Sequence, residues 1–99
     1  MASSSDPALF EWNEEKRERT LEKHGIDFVD AIRVFDGDVL VAASRGHGEK
    51  RFVAVGLLDG IEIAIIFTIR GDAIRVITAR RARRHEREAY HAHLPRGGP

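Results

Sequence analysis

The chain has 99 residues, 42% of them hydrophobic, and its 16 basic and 16 acidic side chains give a formal net charge of zero. This size fits one small domain with a modest core. The sequence contains no cysteine, which excludes a disulfide scaffold, a thiolate metal site and a cysteine nucleophile. No apolar run approaches the roughly 20 residues that span a bilayer, and the first residues lack the apolar core of a signal peptide. We therefore expect a cytoplasmic protein.

The first half of the chain predicts two helices. Asn13 is a favourable N-cap, and the polar segment after it predicts a helix that ends at about His24, with Gly25 at the C′ position. Asp27 is the next N-cap candidate. A second, amphipathic helix follows it with apolar residues at i, i+3, i+4 and i+7. These apolar residues are Phe28, Ala31, Ile32 and Phe35.

The second half predicts an antiparallel sheet and a last helix. Strands are expected over 39–43, 51–58, 61–69 and 74–80, and a helix over 82–93. Asp59 and Gly60 are typical of a tight hairpin turn between two strands. In strand 74–80, simple alternation places Val76 and Thr78 on one face and Arg75 and Ala79 on the other.

This order of elements predicts an α+β fold. Two N-terminal helices precede an antiparallel sheet of about four strands, which a C-terminal helix follows. We expect a single domain over residues 10–94, with flexible tails at 1–9 and 95–99. The large apolar side chains of Phe10 and Trp12 should dock the start of the domain onto the core.

Charge is separated along the chain in spite of the zero net charge. Residues 1–38 hold ten acidic and five basic side chains, whereas residues 75–99 hold seven arginines and two glutamates. Such asymmetry indicates one basic surface for a polyanion. The alternative is a solvated helix whose arginines pair with the acidic N-terminal helix.

Four arginines crowd the predicted junction between the last strand and the last helix. They are Arg80, Arg81, Arg83 and Arg84. A helix N-terminus already carries partial positive charge and unpaired N–H groups, so these side chains should cost stability unless an anion is present. Phosphate suits the planar donor fork of arginine. The junction therefore predicts a phosphate-rich ligand, of which RNA is the most plausible.

One spaced pattern of residues covers about positions 10–90. It comprises Phe10-Glu-Trp-Asn13, Lys16, Leu21-Glu-Lys-His-Gly25, Phe28, Ala31, Val34-Phe35-Asp36, Arg51-Phe-Val-Ala-Val-Gly56, Ile74-Arg-Val-Ile-Thr-Ala-Arg80, Arg81-Ala82, Glu86-Arg87 and Tyr90. Taken together, this pattern resembles the BrnT toxins of type II toxin–antitoxin systems. The chain departs from the family at Thr20, where members commonly have Asn, so the role of that position stays open.

The resemblance implies a RelE-like fold and an endoribonuclease that stops translation and growth. It implies a BrnA-like antitoxin with a ribbon-helix-helix domain as partner, and operator DNA as a target of the toxin–antitoxin complex only. We expect no cofactor, no metal ion and no membrane partner.

RNA cleavage without a metal needs three groups. One takes the proton of the 2′-OH, one holds the pentacoordinate phosphate, and one protonates the leaving 5′-oxygen. Arg80 and Arg81 are candidates for the phosphate, although neighbours in a strand point to opposite faces. His24 is the chief candidate for proton transfer, and Glu86 is a second candidate base. The remaining candidates for RNA contacts are Arg51, Arg75, Arg83, Arg84, Lys23 and Tyr90.

Each candidate also has a structural interpretation. His24 can interact with the last carbonyls of its helix. His85, which lies next to the arginines and could donate a proton, can be an ordinary surface residue of the last helix. Glu86 can orient an arginine through a bidentate pair, and Tyr90 can pack on the sheet instead of stacking on a base. At the level of function, the alternatives are a noncatalytic nucleic-acid-binding module and an antitoxin-docking protein without activity.

Overall fold

In a computed structural model that describes residues 9–44 and 48–94, the chain forms one five-stranded sheet with helices on both faces. The strands are β1 (Leu9–Trp12), β2 (Val39–Ser44), β3 (Arg51–Leu58), β4 (Ile61–Arg70) and β5 (Ala73–Arg81), in the spatial order β1-β5-β4-β3-β2. The helices are α1 (Glu14–His24), α2 (Phe28–Ala31) and α3 (Arg84–His93), and a 3-10 turn (Ile32–Asp36) follows α2. The predicted α+β class is confirmed. None of these helices is long and apolar enough to cross a membrane.

The strand that the sequence analysis missed is β1. It pairs in parallel with β5, with Leu9 opposite Ala73 and Trp12 opposite Val76. The Trp12 ring meets the Phe28 ring edge-on, with centroids 5.9 Å apart, so the start of the domain does pack on the core. Leu9 belongs to the sheet, and the rest of the predicted tails lies outside the described residues. Four residues are too few to show a strand pattern by themselves.

Local signals fixed the ends of α1 correctly. The Asn13 side chain accepts a hydrogen bond from the Lys16 N–H at 3.0 Å, and Gly25 closes the helix in the left-handed region with φ 72°. The Gly25 N–H donates to the Leu21 carbonyl at 2.8 Å. The second predicted helix is one turn of α-helix that tightens into the 3-10 turn, although its apolar residues keep the predicted spacing.

Two core clusters lie on opposite faces of the sheet. The larger one joins Phe28, Ala31 and Val34 to the inward-facing residues of the central strands. A Cβ on Gly56 would lie 2.9 Å from the Val34 Cβ, so the 3-10 turn approaches β3 closely only because residue 56 is glycine. The smaller cluster lies under α3 and contains Val55, Ala64, Ala82 and Tyr90.

A β-bulge in β5 corrects the predicted alternation of that strand. Ile66 pairs with Thr78 and Phe67 pairs with Val76, so Ile77 is an extra residue without its own partner. Val76 and Ala79 consequently lie in the same core cluster, not on opposite faces. Every side chain after Ile77 is shifted to the other face from the one that simple alternation predicts.

Candidate active site

Arg80 and Arg81 point to opposite faces of the sheet. Arg80 lies on the α3 face, where it contacts Glu86, whereas Arg81 lines a cavity of about 250 Å³ together with His24 at the end of α1. The two arginines therefore cannot hold one phosphate from the same side.

The Arg80 guanidinium forms a bidentate pair with the Glu86 carboxylate. Its two terminal nitrogens donate to the two oxygens of Glu86 at 2.7 and 2.9 Å, and the Arg83 N–H donates to Oε1 at 2.7 Å. The hydrogen bonds from Arg80 and then from Arg83 lower the pKa of Glu86 to about 2, against the opposing effect of burial. Glu86 is therefore the anion that the start of α3 requires.

These contacts favour the structural interpretation of Glu86. Both of its oxygens accept hydrogen bonds, and a carboxyl group with so low a pKa is a weak general base near neutral pH. Glu86 holds Arg80, and Arg80 in turn donates to the Arg81 carbonyl at 3.3 Å. The pair thus supports the backbone from which the Arg81 side chain extends.

The stacking role predicted for Tyr90 is wrong. Tyr90 is only 1% exposed, and its hydroxyl donates to the Asp38 carbonyl at 3.0 Å. The amphipathic pattern of α3 turns this ring onto the sheet, so neither ring face is open to a base.

The other predicted RNA-binding arginines lie on or beside the α3 face. Arg75 is opposite Thr68, and its Nη1 lies 3.2 Å from a Glu11 oxygen. Arg51 is two residues before Val53, so the two share a face, and its Nη2 lies 3.8 Å from Glu49. In the last helix, Arg84 pairs with Glu88 at 3.2 Å, while the exposed Arg83 precedes the helix as its N-cap residue. The structure therefore brings Arg51, Arg75 and Arg80 to one face, apart from Arg81.

A basic stripe of α1 surrounds a second cavity at the edge of β5. Lys16, Arg19 and Lys23 follow one another at i, i+3 and i+7, and line about 200 Å³ together with Thr20, His24 and Thr78. Sequence analysis singled out Lys23 and His24 but missed Lys16, Arg19 and Thr78 as site residues. The spacing of the basic residues along α1 could have indicated Lys16 and Arg19. Nothing in the sequence places Thr78 beside them, because that contact depends on the tertiary fold.

His24 connects the two cavities, since it lines both. We name the group Lys16, Arg19, Lys23, His24, Thr78 and Arg81 the β5-edge site. Within the described residues, Lys16, Lys23 and Arg81 take part in no ion pair.

The carboxylates near Arg81 are engaged by other arginines. Arg17 holds Asp27 at 2.8 Å and lowers the pKa of that carboxyl group, and Arg33 lies 3.1 Å from Asp59. The β5-edge site therefore combines the imidazole of His24 with Lys16, Lys23 and Arg81, whose charges no carboxylate of the described residues neutralises. Such a set can bind phosphate oxygens and move a proton beside them. In residues 9–44 and 48–94, no three His, Cys, Asp or Glu side chains form a metal-binding group.

The fold and this site define a small α+β protein with a basic edge suited to an extended anion. The sequence profile described as the ribonuclease toxin BrnT of type II toxin–antitoxin systems matches residues 12–86. The chain belongs to this BrnT family, as its residue pattern predicted, and is a ribonuclease toxin of that class. Membership implies RNA as the substrate and an antitoxin as the partner.

A solved structure agrees with the family match. The crystal structure of the Brucella abortus ribonuclease toxin BrnT is 32% identical in sequence and superposes with a TM-score of 0.62. The similarity covers 79% of this chain and 100% of the Brucella chain. No curated protein sequence matches this chain significantly.

Proposed function

We propose that this chain is an endoribonuclease toxin that needs no metal and cleaves RNA by attack of a 2′-oxygen on the adjacent phosphorus. The 2′-oxygen loses its proton and bonds to phosphorus while the bond to the 5′-oxygen breaks. The 5′-oxygen gains a proton as it leaves. The products are a 2′,3′-cyclic phosphate and a 5′-hydroxyl end.

The β5-edge site is the proposed place of this reaction. His24 would exchange the proton of the attacking oxygen, and Arg81 would hold the phosphate oxygens as negative charge develops on them. The basic stripe of Lys16, Arg19 and Lys23 would hold phosphates on either side. Arg80 and Glu86 would act as positioning residues for Arg81 through the carbonyl contact.

One observation carries this assignment: His24 lies beside Lys16, Lys23 and Arg81, which form no ion pair with any described residue, although Arg19 lies 3.8 Å from Glu15. On the α3 face, by contrast, Arg51, Arg75 and Arg80 are each paired with a carboxylate. A pentacoordinate phosphate gains more from a cation that no carboxylate already neutralises. The α3 face offers a weaker case, because RNA would have to displace Glu11, Glu49 and Glu86 there.

We further propose that the toxin stops translation and growth, and that its antitoxin is BrnA-like with a ribbon-helix-helix domain. The complex, not the free toxin, would then bind operator DNA. Membership of the BrnT family supports these points. Expression of the toxin with and without the antitoxin encoded beside it, followed by growth and by labelled amino-acid incorporation, tests them.

The decisive experiment is cleavage of an end-labelled RNA in the presence of EDTA. We expect wild-type protein to release fragments with 5′-hydroxyl ends. The variants His24→Gln and Arg81→Ala should each lower the rate by about 100-fold or more, because each removes a group that acts in the transition state. Arg70→Ala is the matched control, since Arg70 is exposed on another part of β4 and should leave the rate unchanged.

Other outcomes separate the alternatives. RNA binding without cleavage, on isolated RNA and on translating ribosomes, would identify a noncatalytic binding module. Cleavage by Arg81→Ala at the wild-type rate would remove the reaction from the β5-edge site. Fragments with 5′-phosphate ends would contradict attack by the 2′-oxygen.

A further inference from the structure

Part of the α3 face of the sheet has no helix over it within the described residues. The helix α3 covers Val55 and Ala64, but further along the strands Ile66 and Ile77 are partly exposed. Neither isoleucine packs against either core cluster of the described residues. Val53, which packs against the edge of the cluster under α3, pairs with Ile66, and Ile66 faces the bulge that contains Ile77. We name Val53, Ile66 and Ile77 the apolar stripe.

Arginines border this stripe on one side. Arg75 and Arg51 lie on the same face, on either side of Thr68. Their carboxylate partners, Glu11 and Glu49, have side chains that are 42% exposed, so a ligand can replace them. The Arg51 Nε–H is buried and has no hydrogen-bond partner among the described residues. A buried donor without a partner costs stability until an acceptor arrives.

We infer that the apolar stripe docks an amphipathic helix of the antitoxin, with acidic residues beside its apolar side. The positive charges of Arg51 and Arg75 favour acidic side chains on the partner, and Ile66 and Ile77 favour apolar side chains on it. RNA fits this surface less well, since the three side chains of the stripe are apolar and carry no cation. An added β-strand does not fit either. β4 is hydrogen-bonded to a strand on each side, and the edge of β5 that faces away from β4 is occupied by β1 and by α1.

The size of the stripe fits two helical turns. It crosses β3, β4 and β5, which is about 10 Å at the usual spacing of strands. Two turns of α-helix rise about 11 Å and present apolar residues at i, i+3 or i+4, and i+7. Thr78 follows Ile77 directly and lines the β5-edge site. A helix on the stripe would therefore end beside the proposed RNA site and obstruct it.

Methyl NMR on the full chain tests this docking, with isoleucine methyl groups labelled. The probe is the antitoxin encoded beside the toxin gene. We expect its addition to shift Ile66 and Ile77 and to leave Ile69 unchanged. Ile69 is 56% exposed but lies on the opposite face, in alternation with the buried Ile65 and Phe67. Shifts at Ile69 without shifts at Ile66 would overturn the inference.

An RNA oligonucleotide with 2′-O-methyl groups, which cannot be cleaved, is the second probe. It should shift Ile61, which lines the cavity of His24 and Arg81, and spare Ile66. An RNA that shifts Ile66 as strongly as the antitoxin does would mean that the stripe is an RNA surface.

A substitution provides the affinity test. Ile66→Ser should weaken antitoxin binding at least 10-fold in calorimetry, while the control Ile69→Ser keeps it. Wild-type affinity in Ile66→Ser would overturn the inference, and thermal unfolding checks that both variants fold. Should Ile66→Ser fail to fold, the NMR result on wild-type protein decides.

The inference rests on the proposed function only for the identity of the partner. RNA cleavage by Ile66→Ser should match wild type, since Ile66 belongs to no catalytic group. Antitoxin shifts at Ile66 in a chain that cleaves no RNA would leave the docking standing and refute the proposed catalysis.

Discussion

The Arg80–Glu86 pair should stabilise the fold in a pH-dependent way. The Glu86 carboxyl has a pKa of about 2 in the folded chain, below its ordinary value of 4.5. The contribution of the ion pair to the free energy of unfolding is therefore complete above about pH 4.5 and is lost as the pH falls through about 2. We expect Glu86→Gln to lower the free energy of unfolding by about 2 kcal/mol at pH 7, because it leaves a partly buried Arg80 without its anion.

Urea unfolding at pH 7 and at pH 3 measures this effect. The difference in unfolding free energy between wild type and Glu86→Gln should narrow at pH 3, because Glu86 is already protonated in the unfolded chain there but still ionised in the folded chain. Glu88→Gln is the control, since the Glu88–Arg84 pair is exposed and should cost less than about 0.5 kcal/mol. A gap that stays constant with pH would mean that Glu86 acts through packing and not through its charge.

At the scale of residues, residue type alone pointed to some members of the proposed β5-edge site, and the fold was needed to identify the others. Arg81, Lys23 and His24 could be proposed from residue type, and the division of Arg80 from Arg81 follows from alternation along one strand. That Glu86 neutralises Arg80 depends on how α3 folds back over the sheet. The approach of α1 to Thr78 is a contact between distant segments, and spacing along the chain carries no signal of it.

At the scale of elements, the end of α1 sets the position of His24. Gly25 adopts φ 72° directly after His24, a conformation that costs a residue with a Cβ about 1 kcal/mol. We expect Gly25→Ala to lower the melting temperature by about 4–8 °C. Gly37→Ala should change it little, since Gly37 has φ −115° and open space around its Cβ position.

Calorimetry of the two variants makes the comparison, and RNA cleavage below the melting temperature adds a second readout. Gly25→Ala should also reduce cleavage, because fraying at the end of α1 displaces His24. An unchanged melting temperature in Gly25→Ala would mean that the chain relieves the strain by ending α1 differently.

Local elements could be predicted from the sequence, and long-range ones could not. The caps of α1 and the β3–β4 turn depend on residues within four positions of each other, so their signals are complete in the sequence. The strand β1 exists only because β5, more than 60 residues later, offers it an edge. The bulge at Ile77 depends on the register against β4, which simple alternation within β5 cannot show.

At the scale of the whole molecule, zero net charge means that RNA binding must come from a local surface. Of the arginines beyond residue 74, Arg75 is the one that pairs with an acidic residue of the N-terminal segment within the described chain. The expected alternative, in which that segment neutralises the last helix, therefore fails for Arg80 and Arg84, which pair within their own region.

The salt dependence of RNA binding measures how many cations of the protein contact phosphates. Four cations of the β5-edge site on single-stranded RNA should give a slope of about −3 in log K against log salt concentration. Lys16→Ala should make that slope shallower by about 0.7, whereas Arg70→Ala should leave it unchanged. Fluorescence anisotropy with the 2′-O-methyl oligonucleotide measures both. Equal slopes for Lys16→Ala and wild type would mean that the α1 stripe does not touch the backbone of the RNA. Binding would then have to come from Arg81 or from the α3 face, where Arg51, Arg75 and Arg80 are already paired with carboxylates.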